Sequence, residues 1–166
     1  VIDSNGVIVV PAFTGLGAPY WNDKCKGAIF GLTRGTSRAH LVRACLESMA
    51  YQSKDLIQIM EEELNEKIES IKVDGGASAN NFLMQTQADI IGAPVNRPSC
   101  VETTAMGAAY LAGLATGFWA DRDELISLAP DVREFTPEID ASKRASLLGG
   151  WRRAVRACRE FSKTEE

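Results

Sequence analysis

The chain has 166 residues, enough for one domain with a real core. Apolar residues make up 45%, charged residues 24%, and the formal net charge is −4. This is an ordinary globular mix without a basic stripe, which argues against nucleic acid as the main partner. No apolar run approaches the ~18 residues of a membrane span. Val1-Ile2-Asp3-Ser4-Asn5-Gly6 lacks the charged start and apolar middle of a secretory leader, so a cytoplasmic protein is expected.

Val7 to Ala12 reads as a strand, an apolar run rich in β-branched residues and stopped at Pro11. A loop rich in glycine and aromatics follows, Phe13 to Asp23, and Ala28 to Gly31 reads as a second strand. Ser37 predicts the N-cap of a long helix to about Asn65. Leu41, Cys45, Met49, Leu56, Ile59 and Met60 would form its apolar stripe, and Arg43, Glu47, Lys54, Gln58 and Glu61 its wet face. Ile68 to Val73 is the next strand, entering the turn Asp74-Gly75-Gly76-Ala77-Ser78 and a helix from about Asn80 to Ile91 that Gly92 and Pro94 end.

Val95 to Pro98 reads as a short edge strand. Thr103 or Thr104 would cap a helix of small residues running to about Gly117, and Asp121 or Asp123 would start a shorter one. Arg133 to Thr136 is a candidate last strand. Ser142 to about Ser162 is a last helix, with Arg152, Arg153, Arg156 and Arg159 on a solvated basic face. This order of strands and helices indicates the α/β class, with too few strands for a complete doubly wound sheet.

Cys25, Cys45, Cys100 and Cys158 are far apart and include no C-x-x-C pair. They read as separate thiols of a reducing compartment rather than a disulfide framework or a zinc site. His40, the sole histidine, has no partner at ligand spacing, which argues against a histidine-based triad. There is no P-loop signature, and Gly15-Leu16-Gly17 is followed by Pro19, Tyr20 and Trp21 where a dinucleotide fingerprint would open a helix.

The sharpest local signal is the turn at Asp74-Gly75-Gly76-Ala77. Glycine there tolerates positive φ and leaves no Cβ between the backbone and a ligand. The helix start beyond it presents free N–H groups and partial positive charge. The pattern suits a nucleotide, and it equally suits a tight strand-to-helix turn in any α/β protein.

Longer stretches narrow this. Val10-Pro11-Ala12-Phe13-Thr14-Gly15-Leu16-Gly17-Ala18-Pro19-Tyr20-Trp21, Gly27 to Gly35 and Leu46 to Gln52 resemble the FGGY family of carbohydrate kinases, and within it the branch that acts on glycerol. So do Val73 to Ala77 with Asn80 to Gln85, and Thr104 to Leu114.

The resemblance implies an actin-like, ribonuclease-H-like α/β fold with a mixed sheet flanked by helices. Residues 1–166 would be the C-terminal, ATP-binding domain, with its first strands before Val1. It implies a Mg²⁺-dependent transfer of the ATP γ-phosphoryl group to glycerol by the intact protein, which would form homo-oligomers. Gly76, through its backbone, and Asn80, through its amide, match the family's nucleotide contacts, with Gly75 and Ala77 on the same wall. The helix from Thr104 matches the interdomain connection.

The base aspartate and the glycerol ligands would lie in the N-terminal remainder, so the chain alone is expected to be inactive. Asp74 is read as a turn residue rather than a base, and Gln52 as a hydrogen-bonded structural residue. Another polyol or sugar kinase, such as one acting on xylulose, and a non-catalytic actin-like nucleotide-binding module are the competing readings. Lys143 stands where some bacterial members place a carboxylate that helps bind a regulatory protein through zinc, so no such regulation is expected.

Overall fold

Three β-branched residues in a row form the first strand, and both of its faces are covered. The computed structural model describes residues 1–128 and 131–163. Strand β1 (Ile8–Val10) pairs antiparallel with β2 (Ala28–Phe30), with Val9 opposite Ile29. Val7 and Val9 pack with Leu41 and Ala44 of the first helix, while Val10 faces the largest core cluster. Two-sided burial explains the unbroken apolar run, which would alternate with polar residues if one face met water.

Helix α1 (Arg38–Leu64) starts at Ser37, whose N–H donates to His40 Nδ1 at 3.0 Å. The sole histidine is thus part of a cap. Asn65 ends the helix in the left-handed conformation. The expected apolar stripe is corrected here. Ala44, Ser48, Ala50, Tyr51, Asp55 and Ile57 are buried, whereas Cys45, Met49, Leu56, Ile59 and Met60 are exposed. Glu47, placed on the wet face, is buried as well and accepts from Arg43 at 2.7 Å. The cause is close approach: small side chains at 44, 48 and 50 let β1 and its neighbours pack near the helix axis.

The strand expected over Ile68 to Val73 is realised as β3 (Ile71–Lys72). Its beginning is held by the helix instead, because the Ile68 N–H donates to Glu61 Oε1 at 3.2 Å. Burial opposes the charge on Glu61, but the Ile68 N–H and the ammonium groups of Lys54 and Lys67 outweigh it and hold the carboxyl below the usual range. A 3-10 turn (Gly76–Ala79) leads to α2 (Asn81–Ile91), which ends at the left-handed Gly92.

Strand β4 (Val95–Pro98) runs parallel to β3, and β5 (Val132–Phe135) pairs antiparallel on its other side. β4 is therefore the centre of a mixed three-stranded sheet, a correction to the expected edge position. Pro98 is tolerated because it stands at the strand's last residue, where a missing N–H disturbs the ladder least. Helix α3 (Thr103–Thr116) begins at Glu102 rather than at a threonine cap. Helix α4 (Arg122–Ser127) is capped by Asp121, and α5 (Ala141–Phe161) by Asp140. Among the described residues no helix is long and apolar enough to cross a membrane. The α/β class and the mixed sheet with flanking helices are as expected.

Trp151 of α5 is fully buried and stacks on Tyr51 of α1, ring centroids 5.4 Å apart at 18°. Its indole Nε1–H donates to Asp55 Oδ2 at 2.7 Å, and the Tyr20 hydroxyl donates to the same oxygen at 2.8 Å. Burial first, and then this carboxylate, push the Tyr20 phenol up from its ordinary value. One buried acid thus joins α1, α5 and the loop after β1. A second cluster lies under the three-stranded sheet, where Leu83, Met84 and Ala88 of α2 meet Val95 and Phe135.

Asp55→Ala in the intact protein is expected to cost about 2–4 kcal/mol, because the buried Trp151 indole and the half-buried Tyr20 hydroxyl lose their acceptor at once. Asp55→Asn, which keeps an acceptor oxygen, should cost less than half as much. Urea unfolding midpoints check this. Equal losses for the two variants would remove the acceptor role.

Candidate functional site

The three-stranded sheet ends its parallel pair at one place. β3 and β4 both point their carboxyl ends toward the Gly75-Gly76 turn and the start of α3, the position where open α/β sheets take ligands. The turn is built from local rules. Gly75 has φ +81° and ψ 168°, a region essentially open to glycine alone. Its N–H donates to the Val101 carbonyl at 2.8 Å, and its carbonyl accepts from the Ser78 hydroxyl at 2.7 Å. Arg97 of β4 clamps the far side, its Nη1 donating to the Ser78 carbonyl at 2.6 Å.

The four residues singled out from the sequence lie together on this turn. Gly76, Ala77 and Asn80 are exposed and Gly75 is half-buried. A Cβ placed on Gly75 or Gly76 would meet no atom within 4 Å. The backbone at this turn therefore borders open space, not a packed neighbour. Asn80 caps α2, with its Oδ1 accepting from the Leu83 N–H at 3.2 Å. That leaves its Nδ2 as the side-chain donor for a ligand.

Two cavities flank the turn. One of about 600 Å³ is lined by Lys72, Val73, Asp74, Asn96, Pro98 and Thr103 among others. The other, about 470 Å³, has Ala79, Arg97, Val101 and Arg133 in its wall. Neither is lined by Gly76, Ala77 or Asn80; the turn reaches them through Asp74 on one side and Ala79 on the other. Both volumes fall in the range of small-molecule sites.

Asp74 is not placed as a base. Its carboxylate accepts a hydrogen bond from the Thr103 hydroxyl, which ties the turn to the first residue of α3. This role of Thr103 was missed in the sequence, where the residue looked like a cap. Arg97 was missed too; its neighbours in sequence mark a strand but not what the guanidinium would hold. Gln52 is half-buried and donates to the Ser48 carbonyl at 3.3 Å, the structural role expected of it.

Helix α3 is unusual in burying only Gly113. A Cβ there would collide with the Trp119 ring, which also meets Tyr110 and Phe118 edge-on at 5.4 and 4.9 Å. The small residues Ala105, Ala108, Ala109, Ala112 and Ala115 are exposed along the helix. Among the described residues no three or more His, Cys, Asp or Glu side chains gather as metal ligands.

Residues 1–116 match the C-terminal domain of the FGGY family of carbohydrate kinases. A glycerol kinase of Carboxydothermus hydrogenoformans is 58% identical over 165 residues, which is 99% of this chain and 33% of that protein. One from Haemophilus influenzae is 56% identical over 166 residues, 100% of this chain and 33% of that protein. The chain thus spans about a third of the length of the curated relatives it matches. Among solved structures, Plasmodium falciparum glycerol kinase with ADP has a TM-score of 0.84 at 34% identity, covering 100% of this chain and 32% of that one. Xylulose kinase of Rhodospirillum rubrum has a TM-score of 0.74 at 22% identity, covering 98% and 32%, and shares the fold alone. On the domain match and these identities, the chain belongs to the FGGY family of carbohydrate kinases.

Proposed function

We propose that this chain is the nucleotide side of a glycerol kinase, and that the intact protein transfers the γ-phosphoryl group of ATP to a terminal hydroxyl of glycerol. The observation that carries the reading is the Gly75-Gly76 turn, whose backbone has open space where side chains would stand. Support for glycerol over another polyol is the 54–58% identity to glycerol kinases over 99–100% of the chain. Xylulose and gluconate kinase structures stand at 22–24%. In this reading residues 1–166 form the C-terminal domain, and sequence before Val1 supplies its first strands, the base and the glycerol ligands. The intact enzyme is cytoplasmic and homo-oligomeric.

Bound ATP supplies the phosphoryl group. The residues of this chain do the positioning. The backbone of Gly75 and Gly76 lets the nucleoside lie flush against the turn, and Ala77 continues the same wall. The Asn80 Nδ2 donates a hydrogen bond to the nucleotide while its Oδ1 stays on the helix cap. Arg97 holds the turn from behind. Fixing the adenosine end orients the phosphate chain for in-line attack, which is where positioning contributes most to phosphoryl transfer. Among the described residues no group of three or more His, Cys, Asp or Glu side chains gathers at this turn to hold a divalent cation. Mg²⁺ is accordingly assigned to the phosphates and to the upstream part. The apolar, mostly exposed surface of α3 faces that upstream part and serves as the joint between the domains.

Three outcomes are expected. Intact protein phosphorylates glycerol in a coupled ADP-release assay and the 166-residue chain alone does not; turnover by the chain alone contradicts the division of labour. Asn80→Asp keeps the cap acceptor but loses the donor, so the KM for ATP should rise about tenfold or more with the glycerol KM and the thermal midpoint nearly unchanged. An unchanged ATP KM removes Asn80 from the site. Gly76→Leu should weaken ATP at little cost in stability, whereas Gly75→Ala should cost about 1–3 kcal/mol in denaturant unfolding because of its backbone angles. Intact, nucleotide-binding protein that phosphorylates no polyol or sugar would instead favour a non-catalytic module.

A further inference from the structure

Two of the four cysteines are buried side by side. Cys25 lies in the loop between β1 and β2, Cys158 near the end of α5, and their Sγ atoms are 3.0 Å apart across 133 positions of sequence. That is inside ordinary nonbonded contact between two sulfurs. Both belong to the core cluster around Trp151, with exposures of 2% and 1%. The Cys158 thiol also donates to the Lys26 carbonyl at 2.8 Å, so loop and helix already meet at this point.

Burial alone would make such a pair inert, but Cys25 has a way out. It forms part of the wall of a cavity of about 720 Å³ between β1 and the loop, with Val9, Phe13, Asp23, Lys26 and Cys45 among the other lining residues. That volume accommodates a small molecule. Cys158 does not line it. The two residues therefore differ in role: Cys25 belongs to the wall of a reagent-sized space, and Cys158 touches Cys25 without reaching that wall. Burial, and then the hydrogen bond with Cys25, push the Cys158 thiol up to about 12, so it rests protonated at neutral pH.

We propose that Cys25 and Cys158 form a reversible redox cross-link, made by exchange with a low-molecular-weight disulfide of the glutathione class that enters through this cavity. The Cys25 thiolate attacks one sulfur of the small disulfide, breaking its S–S bond and releasing one small thiol. Cys158, as it gives up its proton, attacks the Cys25 sulfur of the mixed disulfide and expels the second small thiol. Two protein thiols lose two electrons, the small disulfide gains them, and both protein protons end on the released thiols. The link ties the β1–β2 loop to α5 and closes most of the chain into one loop. In a reducing compartment such a bond is transient and reports the redox state, rather than serving as a permanent staple.

The test uses the intact protein, incubated natively with oxidised glutathione, quenched with an alkylating reagent, digested without reduction and analysed by mass spectrometry. The expected product is one linked species joining the Cys25 and Cys158 peptides, two hydrogens lighter than their sum and separated again by dithiothreitol. Cys158→Ser should stop at the first step, with glutathione retained on Cys25. Full alkylation of both cysteines after native oxidation overturns the proposal. So does a link from Cys25 to Cys45 across the cavity, or a Cys25–Cys158 link that forms only after denaturation.

Discussion

A single carboxylate organises the larger half of the molecule. Asp55 receives the Trp151 indole from α5 and the Tyr20 hydroxyl from the loop after β1, on one oxygen, inside a core that otherwise holds almost only apolar groups. A buried acid is costly unless its lone pairs are met, and here two donors from distant parts of the chain meet it. Direction is the consequence. Stacked aromatics slide, but an indole N–H aimed at a fixed oxygen sets the rotation of α5 against α1. Once α5 is set, β1 has a floor and can be covered on both faces, while β2 keeps Ile29 exposed. The smaller half, sheet and turn, hangs from the same frame through α2, which packs on α1 and contributes Ile90 to the large core.

That frame fixes where the glycine turn is found. α2 runs alongside α1 in the same direction, Phe82 beside Arg43 and Ile91 clustered with Ile57, and its cap Asn80 and the turn before it follow the carboxyl end of β3. The site therefore needs no dedicated scaffold. It is the place where a helix start, two strand ends and the beginning of α3 converge, held by Arg97 and by the Gly75–Val101 hydrogen bond.

The sequence made some of this readable and hid the rest, for physical reasons. The cap at Ser37, the stop at Gly92, the helix start near Asn80 and a start at Asp121 or Asp123 were readable, because each depends on a residue's own hydrogen bonding or backbone freedom. Gly75 was readable for the same cause. The buried face of α1 was not. Its contact stripe contains Ser48, Glu47 and Asp55, polar residues satisfied only by Arg43, Tyr20, Trp151 or the helix's own carbonyls. Hydropathy assigns such residues to water. Large apolar residues at 49, 56 and 60 gave the stronger periodic signal and pointed to the wrong side. β4 looked like an edge because it is short and ends in proline, and nothing in a local window shows that β5, more than thirty residues on, pairs with it. Of the turn's supports, Thr103 and Arg97 were invisible, since each acts on a backbone or side-chain oxygen that sequence spacing cannot place.

The bond between Asp74 and Thr103, with the main-chain bond from Gly75 to Val101 beside it, makes a rivet of two pins between the turn and the root of α3. One pin would let the parts swivel; two, at adjacent residues, do not. Tilt imposed on α3 at its free, alanine-lined flank is therefore handed to the glycine turn as rotation. The helix root and the glycine turn are in this sense one mechanical piece.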